Sequence, residues 1–260
     1  MRRESQLARM AGQSTVLTAC WQNFAFPMYS TCRMDKMQRD DIRKYAERAG
    51  IKSLYHFTRI ENIPTIMEHG LLSLAQALGR RLEPVTNDKL RLDGRLSGTS
   101  VSVSFPNCKM LYRYRDECPE AKWAVMEIDP CVLWDKDCAF FRHNAADARM
   151  RRTPLHELKT YDAFEAMFQR EDMEGSSSEG VRFSFDPVDV QAEVMVFEVI
   201  EPELMKKAYF VDSDAMFSCM PHLRDGMAVH VGSKPSVFSS REYYRGSQIR
   251  KFMSFRSFSV

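Results

Sequence analysis

The sequence predicts an α+β fold. Segments of strand character and of helix character are interspersed along it without a regular β–α–β rhythm. Ser100–Phe105 (SVSVSF) alternates polar and apolar residues throughout, while Gln191–Ile200 (QAEVMVFEVI) is the strongest strand signal in the chain. With 44% hydrophobic and 28% charged residues among 260, the chain is globular in composition and long enough to bury a core without disulfide staples.

Taken in order, residues 1–33 read as a partly ordered extension. Met1–Arg3 has the basic character of a leader, and Leu17–Cys20 matches a lipoprotein cleavage pattern. Glu4, Arg9, Gln13 and Ser14 nevertheless interrupt the apolar stretch that a leader needs. The uncharged run from Met10 to Cys32 contains Gln13, Gln22, Asn23 and Pro27 and is too polar to span a membrane, so no membrane association is expected. Met34 and Met37 are alternative starts. Met34–Ala49 reads as a charged surface helix closed by Gly50. Ile51–Phe57 follows as a strand, then Glu61–His69 as a short helix with Pro64 in its first turn. Residues 79–98 are loop-like. Strand Ser100–Phe105 is broken at Pro106-Asn107, KMLYRYR supplies a helical turn or two, and Lys122–Ile128 is another strand. Residues 139–160 read as basic and irregular, Tyr161–Glu171 as an amphipathic helix, and GSSSEG (175–180) as a flexible link. Beyond strand Gln191–Ile200 the chain reads as mixed strand and loop with a Ser-rich basic tail. The division is thus an extension (1–33), one domain (34–232) and a basic aromatic segment (233–260).

Seven cysteines, an odd count with no CxxC pair, fit a reducing cytoplasm. Cys219, His222 and His230 lack a second cysteine pair, and no metal is expected. Walker A, HExxH, GxSxG and GxGxxG runs are absent, which leaves the usual ATPase, zincin, hydrolase and Rossmann readings without support.

Glu193 is the first candidate for chemistry. By period two it shares a face with Gln191, Met195 and Phe197, where a carboxylate is costly unless paired or functional. The alternative is a strand end on a solvated face. Glu198 falls on the opposite face, which argues against the carboxylate pair of a retaining glycosidase. His56 reads either as a core histidine or as a functional one; Tyr55 points the other way and packs. Ser102 and Ser104 share one face and either line a cleft or form the polar side of an ordinary strand. Lys109, Met110 and Tyr112 read as a cleft wall or as a helical core stripe.

Three segments, YHFT (55–58) running into ENIP and HGLLS, RLDG (91–94) followed by SVSVSFP and KMLY, and QAEVMV (191–196), together resemble the DarT family of nucleic-acid ADP-ribosyltransferase toxins over about residues 51–212. The resemblance implies an ADP-ribosyltransferase fold, two packed β-sheets with NAD+ as co-substrate in a cleft between them. It implies that Glu193 is the catalytic carboxylate. It also implies that His56, Thr58, Arg91, Ser102 and Tyr112 contact NAD+, with Phe57 where the superfamily pattern has glycine and Arg95 as the alternative to Arg91. An antitoxin partner and a toxin or phage-defence role come from the resemblance alone.

The formal net charge of +2 conceals segregation. Residues 142–159 carry net +3 and residues 233–260 net +5, whereas residues 160–203 carry net −10. The basic runs, interleaved with aromatics in the tail, suit single-stranded DNA or RNA, with Arg142, Arg149, Arg151, Arg152, Arg245 and Arg250 as the expected contacts. Two other readings remain: a non-catalytic nucleic-acid-binding module, which needs neither Glu193 nor NAD+, and a transferase or NAD+ hydrolase acting on another target, which needs no basic patches.

Overall fold

A computed structural model describes residues 33–86, 95–170 and 182–256. Arg33–Val260 forms one compact unit. The segment 1–32, Arg91 and the GSSSEG run lie outside the described residues.

Seven strands form the frame: β1 (Leu54–Arg59), β2 (Thr99–Val103), β3 (Trp123–Ile128), β4 (Cys138–Phe141), β5 (Glu193–Val196), β6 (Met205–Phe210) and β7 (Ala228–Val231). Helices α1 (Lys36–Ala49), α2 (Ile63–His69), α3 (Leu74–Gly79), α4 (Cys108–Glu117), α5 (Val132–Asp135), α6 (Ala148–Arg152), α7 (Leu155–Leu158), α8 (Tyr161–Ala166), α9 (Ser213–Cys219) and α10 (Arg241–Arg256) surround them. Helix α1 starts where the Asp35 side chain accepts from the Gln38 amide. It stops at Gly50, whose φ of 82° suits a residue without Cβ.

The strand order is β4-β5-β2-β1-β3-β6-β7, antiparallel except for the β6–β7 pair. The two expected sheets are therefore two halves of one order, and the reason is local. Strands β1 and β2 share only the Leu54↔Val103 and Tyr55↔Ser102 pairs. Beyond Tyr55, β1 runs with β3 alone as far as Arg59, while β2 runs with β5. The halves are joined at one end and part at the other.

Alternation distributes the core over both faces. On β3, Ala124, Met126 and Ile128 pack with Leu54, Ile42 and Ile63, whereas Trp123 and Val125 pack with Leu111 and Tyr114 of α4. Two segments depart from expectation. Within the stretch read as irregular, β4 is a strand buried on both sides: Cys138 and Phe140 join the main core, Ala139 and Phe141 a second cluster with Met195. The tail read as loop contains the 16-residue helix α10.

Helix α10 is fastened by two arginines one turn apart. Arg241 donates to the Pro187 and Val188 carbonyls. Arg245 forms a buried bidentate pair with Asp186, Nη2 to Oδ1 at 2.7 Å and Nε to Oδ2 at 3.0 Å, and also donates to the Ser104 carbonyl at 2.9 Å. The rings of Phe105, Phe183, Phe185 and Tyr244 surround its guanidinium. Ser104 itself sits at φ 63°, a backbone conformation that serine seldom adopts, and its hydroxyl donates to the Phe185 carbonyl. The chain leading toward β5 is thereby tied to both α10 and the end of β2. Arg245, expected to contact nucleic acid, is instead an internal structural residue. Among the described residues no helix is long and apolar enough to cross a membrane.

Candidate active site

The parting of the two halves opens a cleft of about 590 Å³. His56 and Thr58 from β1, Ser100 and Ser102 from β2 and Glu193 from β5 all line it. The strand order explains the convergence: β2 lies between β1 and β5, so residues 137 positions apart in sequence face one opening.

His56 stands where backbone pairing between β1 and β2 lapses. Its Nδ1 lies 2.9 Å from the Ser100 carbonyl oxygen. Burial pushes its pKa below the ordinary imidazole value, against a smaller upward pull from that carbonyl, so the ring is neutral. A carbonyl only accepts, so Nδ1 carries the proton and Nε2 presents a lone pair. Thr58 is buried and its hydroxyl accepts from Asn62 Nδ2 at 3.0 Å. The same Asn62 bonds the Val85 amide and carbonyl, which fixes part of the cleft wall. Ser102 is buried and accepts from the Asn107 amide, the cap of α4.

Glu193 is 8% exposed and opens β5 opposite Phe141. Its Oε1 accepts from the Ala145 amide at 2.5 Å. Its place is a buried strand end on the cleft, not the solvated end. Among the described residues the other buried glutamate is Glu127, which is differently engaged. Burial alone would raise its pKa, but donors from Lys207, Tyr209 and Ser53 outweigh that and hold it below the usual carboxylate range. Glu127 does not line the cleft, so Glu193 alone combines burial with access to it.

The remaining expected contacts divide. Tyr112 is 71% exposed and lines a different groove, with Arg115, Lys122 and Tyr243; on the same helix Lys109, Met110 and Tyr114 line the cleft. Met110 and Tyr114, two residues either side of Tyr112, lie on the opposite face of the helix from it. Tyr112 is therefore not placed to touch a ligand in the cleft. Arg95, the alternative to Arg91, lies over the Phe141 ring and donates to the Thr153 carbonyl. Arg149 forms a forked pair with Asp147, holding that carboxyl well below its usual range. Arg142 donates to the Gln169 carbonyl. Arg151 and Arg152 are exposed on α6, which begins where the cleft-lining loop 144–147 ends, and Arg250 is exposed on α10. The loop 144–147 and Asn62 went unrecognised in the sequence. Asn144 and Asp147 around two alanines are turn-type residues, but the group that bonds Glu193 is the Ala145 backbone amide, which no side chain advertises.

A family model described as "ssDNA thymidine ADP-ribosyltransferase, DarT" matches residues 55–239. The chain belongs to the DarT family. That family is one of ADP-ribosyltransferases, and this member has a mixed α/β architecture. Solved structures similar to this DarT chain include Thermosipho africanus DarTG in complex with ADP-ribose, 18% identical at a TM-score of 0.49 over 72% of this chain and 51% of that one. Thermus sp. 2.9 DarT with NAD+ is 15% identical at 0.43, over 70% and 95% of the two chains. The same protein with ADP-ribosylated ssDNA is 13% identical at 0.45, over 70% and 95%. The chain spans about half the length of the Thermosipho chain. No curated protein matches its sequence.

The lining suits NAD+. A cleft of this volume is within the range of small-ligand sites, and it offers an imidazole lone pair, the hydroxyls of Thr58, Ser100 and Ser102 and the Glu193 carboxylate, groups suited to holding ribose and amide functions.

Proposed function

We propose that this DarT chain transfers ADP-ribose from NAD+ to a base of single-stranded DNA, with thymidine as the favoured nucleoside, and acts as a toxin or phage-defence effector restrained by an antitoxin protein. The observation that carries the reading is the convergence of His56, Ser102 and a buried Glu193 on one cleft. The family description supplies the substrate class.

NAD+ supplies an ADP-ribosyl group attached to nicotinamide as the leaving group. Glu193 is the catalytic residue: its carboxylate provides negative charge where positive charge develops at the ribose carbon, and it can take the proton of the attacking base. The buried setting makes that charge more effective than in water. His56 accepts a hydrogen bond at Nε2, and Thr58 and Ser102 offer hydroxyls. No metal enters this scheme. Arg91 is proposed to contact the NAD+ phosphates or ribose. Arg151 and Arg152 are proposed to hold phosphates of the DNA strand beside the cleft.

The test is incubation with labelled NAD+ and, separately, ssDNA, RNA and protein, followed by mass spectrometry of the nucleosides. Label on thymidine, lost in Glu193→Ala with a rate fall of at least about 100-fold, is expected. Label confined to RNA or protein overturns the DNA reading; full activity of Glu193→Ala overturns the catalytic assignment.

A further inference from the structure

The Glu193 carboxylate is held by a backbone amide, so something must hold that amide. The Ala145 N–H belongs to a loop leaving β4, while Glu193 opens β5; Phe141 and Glu193 are the last registered pair of that ladder. Beyond this pair the two segments are joined by a second contact, between His143 Nδ1 and Asp189 Oδ2 at 2.9 Å. The other oxygen, Asp189 Oδ1, accepts from the Gln191 amide at 2.9 Å, and the Asp189 carbonyl accepts from the Ala192 amide at 3.0 Å. One carboxylate therefore shapes the turn entering β5 and grips the loop carrying the Ala145 amide. On the loop side, the Asn144 side chain accepts from the Ala146 amide and the Asn144 carbonyl from Asp147, which keeps the turn tight.

A turn-capping Asp commonly satisfies its own backbone two residues on. Asp189 does that with one oxygen and reaches 46 residues back in sequence with the other. The two ties run in parallel, His143 to Asp189 and Ala145 to Glu193.

We propose that Asp189 is a positioning residue for catalysis: acting through His143 and the Ala145 amide, it sets where the Glu193 carboxylate stands in the cleft. Asp189 does not line the cleft, so its effect falls on the chemical step rather than on NAD+ binding. The inference rests on Glu193 being the catalytic carboxylate.

Steady-state kinetics on the full chain, with thermal unfolding in parallel, test it. Asp189→Ala removes both contacts, and a displacement of the carboxylate by an ångström predicts a fall in kcat of between about 10-fold and 100-fold. The KM for NAD+ is expected to stay within about twofold. Asp189→Asn keeps an acceptor for the Gln191 amide and places a hydrogen-bonding amide beside the His143 ring, so it is expected to restore most of kcat. His143→Ala should lower kcat in the same direction, and the double variant should be no worse than Asp189→Ala alone, because that substitution already breaks the tie to His143. Wild-type kcat in Asp189→Ala overturns the proposal. So does a fall in kcat that tracks lost thermal stability and is not rescued by Asn, which is the signature of a structural role. Failure of the underlying reading shows separately, as an active Glu193→Ala.

Discussion

Arg245 gives the sharpest test, because two incompatible roles make different measurements move. Arg245 is 5% exposed, and its partner Asp186 is fully buried. Replacement by alanine removes the forked pair and the bond to the Ser104 carbonyl, leaving the Asp186 carboxylate with the Phe183 amide as a remaining donor. Removing one partner of a buried ion pair costs about 3–5 kcal/mol, mostly because the other charge stays in a poorly polarisable site. For a domain of this size each kcal/mol lowers Tm by about 2–4 °C, so the fall should be about 6–20 °C. Arg245→Lys should recover part of that, since an ammonium cannot make the fork. Asp186→Asn added to Arg245→Ala should also recover part, since a buried amide costs less than a buried carboxylate. Circular dichroism melts of the three variants, beside ssDNA titrations, decide the matter. A Tm within about 2 °C of wild type together with lost DNA affinity would refute the structural role and return Arg245 to the nucleic-acid surface.

Other outcomes follow from the same geometry. Because His56 is held neutral with its pKa below the usual value, the unfolded chain binds more protons than the folded one as pH falls below about 6.5. Stability should be full above that pH and decline below it until the depressed folded value is reached; urea titrations of His56→Gln should lack this part of the slope. Tyr112→Ala should leave NAD+ consumption within about twofold of wild type, and a larger loss would place Tyr112 at the cleft after all. Replacing Arg151 and Arg152 by alanine should weaken ssDNA binding across sequences and reduce the salt slope of the affinity by about 1.4, with DNA-independent NAD+ cleavage unchanged; an unaltered slope would remove these residues from the interface.

What was legible in the sequence had a side-chain signature. Alternation marked β2, and a lone carboxylate in an apolar run marked Glu193. Strand β4 was hidden because Cys138, Ala139, Phe140 and Phe141 are buried on both faces and so show no alternation. Helix α10 was hidden because its inward positions hold Arg241 and Arg245, where an amphipathic pattern would have apolar residues. The same substitution of buried cation for apolar side chain made Arg245 look like a phosphate contact. Tyr112 failed on helical phase: a one-dimensional string does not tell which side of α4 meets the cleft. The Ala145 amide had no signature at all.

The latch formed by α10 also has a temporal meaning. His56, Thr58, Ser102, the Ala145 loop and Glu193 all leave the ribosome before Arg241 and Arg245 do, by roughly fifty residues of translation in the case of Glu193. A nascent chain halted in that interval carries every group described for the cleft but lacks the arginines that secure the approach to β5. The approach to β5 therefore acquires its arginine ties only once α10 has been synthesised.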